Sequence, residues 1–255
     1  NETYSGIVEA SFNLNGHILI IDEHGNVKRI DSAKGVQEVL TNVRGAYALS
    51  STSDLENVFL GGVDSLRYIN VTNDKTLFTK RNESIVNTAI SNEGKELAYS
   101  TMQYVVMVDE FGNEVLRYDV HNSWVGGLCF SDDDKYLISA DVDGLTLIFD
   151  IENRMIIQGI KHKDSATSIM YWDKKIVSGS FDRTVAVQSI NGVLLDLIEY
   201  KSGVEALDIA KFNGDVLITG HVDGTVVVKT FSGILISRIK VSDSPIKQVH
   251  FSNGI

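Results

Sequence analysis

WVGGLCFSDDDKYLISADVDGLTLIFDIENRMIIQGI, residues Trp124–Ile160, is four short apolar runs parted by polar turns. The spacing predicts strands over Val125–Phe130, Tyr136–Ala140, Leu145–Asp150 and Met155–Ile160. Asp132–Lys135 and Glu152–Arg154 read as turns, and Asp143-Gly144 as a tight hairpin. Asp-Gly suits a two-residue turn because its central residues need positive φ, which glycine accepts without steric cost. A lone four-stranded sheet with two apolar faces cannot bury both. The unit therefore needs copies of itself to stack against.

The copies are present. Taking the second-to-third strand hairpin as a landmark gives His24-Gly25, Asp64-Ser65, Gln103-Tyr104, Asp143-Gly144, Asp182-Arg183 and Asp223-Gly224. Their first members are 40, 39, 40, 39 and 41 residues apart. Each landmark follows an apolar run and precedes an apolar alternation, for example KIVSGS before and TVAVQS after Asp182-Arg183. Four strands repeated every ~40 residues is the pattern of propeller blades. The expected fold is all-β, a β-propeller of six complete four-stranded blades at about 7–40, 45–80, 85–120, 124–160, 165–200 and 203–240, plus an incomplete seventh.

The pattern resembles the WD-repeat family. His121 and His162 each lie four residues before the first apolar residue of their blade, the family's histidine position. Asp64, Asp143, Asp182 and Asp223 fill its hairpin aspartate, and 178–182 reads SGSFD. The Trp-Asp pair is replaced by Ile30-Asp31 and Phe149-Asp150. The resemblance implies a structural role for these residues, each histidine hydrogen-bonding its hairpin aspartate. It also implies a protein or peptide partner, bound where the loops before each inner strand and the second-to-third hairpins gather around a channel mouth. Those positions bring forward Arg44, Arg81, Tyr104, Trp124, Lys161, Lys163, Phe181, Arg183, Lys201 and His221. Arginine and aromatic side chains dominate interface hot spots.

Composition narrows the rest. An unbroken period argues that 1–255 is a single domain. The net charge of −11 disfavours nucleic acid and membrane surfaces as bulk ligands. One cysteine, Cys129, excludes an intrachain disulfide and fits the cytoplasm. No apolar run reaches the ~18 residues needed to span a bilayer.

The innermost strands point residues such as Glu9, Cys129, Asp208 and His250 at the expected channel. These groups are sparse, and nucleophile-elbow, P-loop, dinucleotide and metal-ligand spacings are missing. No metal or cofactor is expected, and binding is preferred to catalysis. A propeller hydrolase or lyase with a channel site is the alternative. Residues 1–6 are expected to supply an outer strand to the last blade. Ile246–Phe251 reads as the inner strand of a seventh blade, with Ser252-Asn253-Gly254 as its turn. Three readings of this tail stand open: a truncated chain, a six-bladed ring with an extra strand, or a blade completed by strands from a partner at the 246–255 edge.

Overall fold

The computed structural model describes residues 7–12, 17–31, 36–43, 45–63, 65–73, 75–81, 84–166, 168–211 and 214–250. They form six antiparallel four-stranded sheets, each a simple meander in sequence order, and no helix. The chain divides into two compact units, Asn1–Val120 and His121–Ile255.

The first unit holds three blades. They are β1 (Ile7–Phe12), β2 (His17–Asp22), β3 (Asn26–Asp31) and β4 (Val36–Asn42); β5 (Ala46–Ser51), β6 (Asn57–Gly62), β7 (Ser65–Asn70) and β8 (Lys75–Arg81); and β9 (Asn87–Ile90), β10 (Glu96–Ser100), β11 (Val105–Asp109) and β12 (Glu114–Tyr118). The second unit holds β13 (Val125–Phe130), β14 (Tyr136–Asp141), β15 (Leu145–Asp150) and β16 (Met155–Lys161); β17 (Ser168–Trp172), β18 (Lys175–Gly179), β19 (Thr184–Ser189) and β20 (Leu194–Glu199); and β21 (Val204–Lys211), β22 (Asp215–His221), β23 (Thr225–Thr230) and β24 (Leu235–Lys240). The blade boundaries and the four strands expected within 124–160 are met, β14 and β16 each running one residue further.

The cores lie between neighbouring sheets, which is why the middle strands are apolar on both faces. In the first unit Leu19, Ile21 and Val27 pack against Leu49, Val58 and Leu60. Phe59, Leu66 and Tyr68 pack against Ile85, Leu97 and Tyr99. In the second, Ile138 and Ile148 meet Ile176, and Val177, Val185 and Ile198 meet Val204, Ile209 and Leu217. Cys129 is a free thiol beside the first of these clusters. Burial pushes its pKa up to about 12.

Close stacking demands small residues at fixed places. A Cβ on Gly179 would sit 2.7 Å from Val204 Cγ1, and one on Gly220 would sit 2.6 Å from Ile246 Cγ2. A polar staple adds to the apolar seam between the fourth and fifth blades. Buried Gln188 on β19 accepts the Ile160 N–H through Oε1 at 2.9 Å and donates through Nε2 to Thr146 Oγ1 at 3.0 Å. Thr146 in turn donates to the Ile160 carbonyl at 2.9 Å. Gly159 leaves room for this group, since its Cβ would lie 2.3 Å from Thr146 Oγ1.

The tail differs from its expectation in one respect. Ile246–His250 is extended chain rather than a strand of a sheet. It nonetheless occupies an inner strand's place. The Ile246 N–H donates to the His221 carbonyl at 3.1 Å, as the Val204 N–H does to Ser180 and the Ala166 N–H to Asp141. Val249 packs on Ala210, Val216 and Ile218, and His250 Nδ1 lies 3.2 Å from Asp208 Oδ2. Residues 1–6 and the turn at 252–254 lie outside the described residues.

Candidate functional site

Each blade of the second unit ends its second strand at a hairpin to the third, and the loop from the preceding blade returns to the same place. In the fifth blade buried His162 comes from that loop. Its Nδ1 lies 3.2 Å from Asp182 Oδ2 and 3.1 Å from Thr184 Oγ1, and its Nε2 lies 2.8 Å from Ser178 Oγ. Asp182 also accepts the backbone N–H groups of Lys163 and Thr184 at 2.9 Å each. Desolvation holds the imidazole below its ordinary pKa, against the pull of Asp182. Burial alone would raise the Asp182 carboxyl, but the hydrogen bonds from Thr184 and Lys163 and the nearby His162 hold it below the usual range. The expected pairing of histidine with hairpin aspartate is present here.

The fourth blade uses a different aspartate. His121 Nδ1 lies 2.8 Å from Asp141 Oδ2, and its Nε2 is 2.8 Å from Ser139 Oγ. The N–H groups of Asp143 and Leu145 donate to Asp141 Oδ1 at 3.0 and 2.9 Å. Asp143 is exposed, so the structural aspartate expected at 143 stands at 141. The physical reason is register. β14 runs to Asp141, whose side chain leaves the sheet on the face of Ser139, two residues back, whereas Asp143 lies beyond the last paired residue.

The sixth blade relocates the imidazole. His221 closes β22, is 1% exposed, and bonds Thr219 Oγ1 at 2.9 Å and the Ser202 carbonyl at 3.1 Å. It was expected on the binding face, but it is an interior hydrogen-bonding group whose burial lowers its pKa. Asp223 accepts Thr225 N and Oγ1 at 3.1 and 2.6 Å and pairs with Arg238 at 3.2 Å.

These networks fix a loop end. Backbone bonds run from Val142 N to Trp124 O, His162 N to Gly144 O, Phe181 N to Ser165 O and Val222 N to Gly203 O, all 2.9–3.0 Å. On this frame Trp124 is 53% exposed and Phe181 half-buried. Lys161, Lys163, Arg183 and Lys201 are exposed, and none has a carboxylate partner among the described residues. Arg183 sits at positive φ (74°) in its hairpin, a conformation uncommon for a non-glycine residue.

The remaining expected positions belong to the first unit. Tyr104 is half-buried against the core, with the Arg117 guanidinium 4.3 Å above its ring. Arg81 ends β8, its side chain outside the described residues, as are Arg44 and Asp64. The first-unit and second-unit positions are thus not brought into one described site. Among the described residues no group of three or more His, Cys, Asp or Glu side chains is placed to hold a metal. No helix among them is long and apolar enough to cross a membrane.

Comparison with known proteins places these features. The family model described as WD domain, G-beta repeat matches residues 112–150. The chain is 34% identical over 89 residues to ASTRA-associated protein 1 of Lodderomyces elongisporus, which is 33% of this chain and 21% of that protein. It is 29% identical over 114 residues to a guanine nucleotide-binding protein subunit beta-like protein of Encephalitozoon cuniculi, covering 40% of this chain and 34% of that one. The chain therefore spans about a fifth and a third of the relatives it matches. A chain in the crystal structure of the mitotic checkpoint complex superposes with a TM-score of 0.84 at 14% identity, over 97% of this chain and 84% of that one, which shows the β-propeller fold.

Proposed function

We propose that this WD-repeat propeller is a protein-interaction scaffold whose loop end in the second unit binds an acidic or phosphorylated segment of a partner protein. Proteins of the WD-repeat family generally act as scaffolds or adaptors. One observation carries the finer reading. In a chain of net charge −11, Trp124, Lys161, Lys163, Arg183 and Lys201 stand exposed at one end of the second unit, the cations without carboxylate partners among the described residues. A local reversal of sign beside an exposed indole suits an anionic partner, through arginine–oxyanion pairs and aromatic burial. The interlocked loops bind without first having to order, which keeps the entropic cost of association low. The lone, half-buried cysteine accords with a cytoplasmic setting.

The test is a double variant, Trp124→Ala with Arg183→Glu, titrated against the partner recovered with the wild-type chain. Loss of binding with an unchanged melting curve supports the site; retained affinity discards it. A second reading concerns Ile246–His250, which lies in an inner strand's place without a ladder. An inner strand's place beyond the sixth blade suits further strands supplied by a partner. A pull-down with and without residues 246–255 tests it, unchanged partners removing the idea.

A further inference from the structure

Beside the loop end, the outer strands β16 and β20 of the fourth and fifth blades flank a groove of about 460 Å³. Its walls are graded. Ile160, Leu194 and Leu197 form an apolar stretch, and Lys161, Lys163 and Arg183 close the end nearest the loops. Leu194 is 48% and Leu197 47% exposed, as aliphatic residues on the other outer strands also are; what sets this pair apart is the cationic end of the groove beside it. Apolar surface rimmed by like charges marks a binding groove rather than a solvated edge. Two carboxylates share the groove. Asp182 is held by His162, Thr184 and the Lys163 N–H, and Glu199 lies on the β20 bank. Among the described residues neither carboxylate forms an ion pair with the three cations, Asp182 pairing with His162 instead. The Gln188–Thr146–Ile160 staple fixes the spacing of the two blades beneath it.

We infer that this groove takes an extended segment of a partner protein carrying an aliphatic residue followed, about three residues away, by an aspartate or glutamate. The aliphatic side chain seats between Ile160 and Leu197, and the carboxylate meets Lys161, Lys163 and Arg183. The separation follows from the sheet. The Tyr200 N–H donates to the Arg183 carbonyl at 2.8 Å, so Arg183 stands level with Tyr200, three residues beyond Leu197. At ~3.3 Å per residue that is ~10 Å, which an extended peptide covers in about three residues. The inference rests on the reading that the chain binds a protein partner, but it names a lateral surface that Trp124 does not line.

The test uses a displayed library of 12-residue peptides, selected on the full chain and titrated on three single variants. Enriched peptides should share an aliphatic and an acidic residue about three positions apart. Leu197→Asp should weaken them at least tenfold, since an apolar anchor is replaced by a charge that repels theirs. Lys161→Glu, at an exposed position, should do the same and serves if Leu197→Asp folds poorly. Trp124→Ala should leave them unchanged. Enrichment of basic or featureless peptides, equal affinity on Leu197→Asp and Lys161→Glu, or no enrichment would overturn the inference. Loss on Trp124→Ala alone would move binding to the loop end, overturning the groove while sparing the proposed function.

Discussion

Gln188→Met removes the polar staple between the fourth and fifth blades while keeping side-chain volume, so the change isolates hydrogen bonding from packing. The Ile160 N–H, 2.9 Å from Gln188 Oε1 in the native protein, is left without its acceptor. Thr146 loses the donor at 3.0 Å but keeps its own bond to the Ile160 carbonyl. Because Gln188 and Thr146 are fully buried, water cannot readily replace either partner. An orphaned buried donor costs about 1–3 kcal/mol, and the loss of one bond partner to Thr146 about 1 kcal/mol more at most. A loss of about 2–3 kcal/mol is expected. In urea, with a slope of about 3 kcal/mol/M for a chain this long, the midpoint should fall by about 0.7–1 M with the slope unchanged. Thr146→Val, alone and combined with Gln188→Met, completes a cycle in which a coupling of about 0.5–1.5 kcal/mol is expected. A midpoint shift under about 0.1 M, or no coupling, would refute the reasoning that this staple holds the two blades.

Asp141→Asn should cost about 1–3 kcal/mol, whereas Asp143→Asn should stay within about 0.5 kcal/mol, because only the former bonds His121; equal effects in chemical denaturation would contradict the assignment. Gly179→Ala should destabilise by about 1–3 kcal/mol, its Cβ falling 2.7 Å from Val204 Cγ1, and a neutral result in thermal melts would show that the seam is loose. His162 and His221 are held neutral by burial, with folded-state pKa values below 6.5. The unfolded chain therefore takes up protons first as pH falls, and stability should be flat above about pH 6.5 and decline below it, by at most about 1.4 kcal/mol per pH unit for each histidine. Urea midpoints measured from pH 8 to 5 check this, and His162→Gln should shrink the slope; a rise in stability on acidification would reverse the sign.

The fold was legible because its signals are local and repeated. Asp143-Gly144 and Asp223-Gly224 mark hairpins that the glycines, at φ +86° and +76°, need. The apolar runs Val125–Phe130 and Leu145–Asp150, on either side of the first of these hairpins, match β13 and β15 residue for residue. His162–Asp182 was legible as well, since both residues stand where the repeat places them. The errors arose where a one-residue difference in strand length decides which side chain points inward. Asp141 and Asp143 lie two apart in ADVDG, and only the register of β14, where Asp141 pairs with Val125, shows that Asp141 ends the ladder on the Ser139 face. His221 reads as a loop residue in the sequence for the same reason, whereas it closes β22. The alternation Thr219, His221 parallels Ser139, Asp141 and Ser178, Ser180, and could have marked it as interior. Gln188 carried no signal beyond being a lone amide in TVAVQS, because its partners Thr146 and Ile160 lie 42 and 28 residues away.

A stiff, locally cationic end of the second unit that receives an anionic partner would lose solvent access on binding. Amide hydrogen exchange with and without that partner reads this most directly. New protection is expected at 122–124, 142–144, 163–166 and 181–183, spreading to 194–199 if the groove is engaged. Protection confined to the opposite turns at 131–135, 173–174 and 191–192 would contradict it.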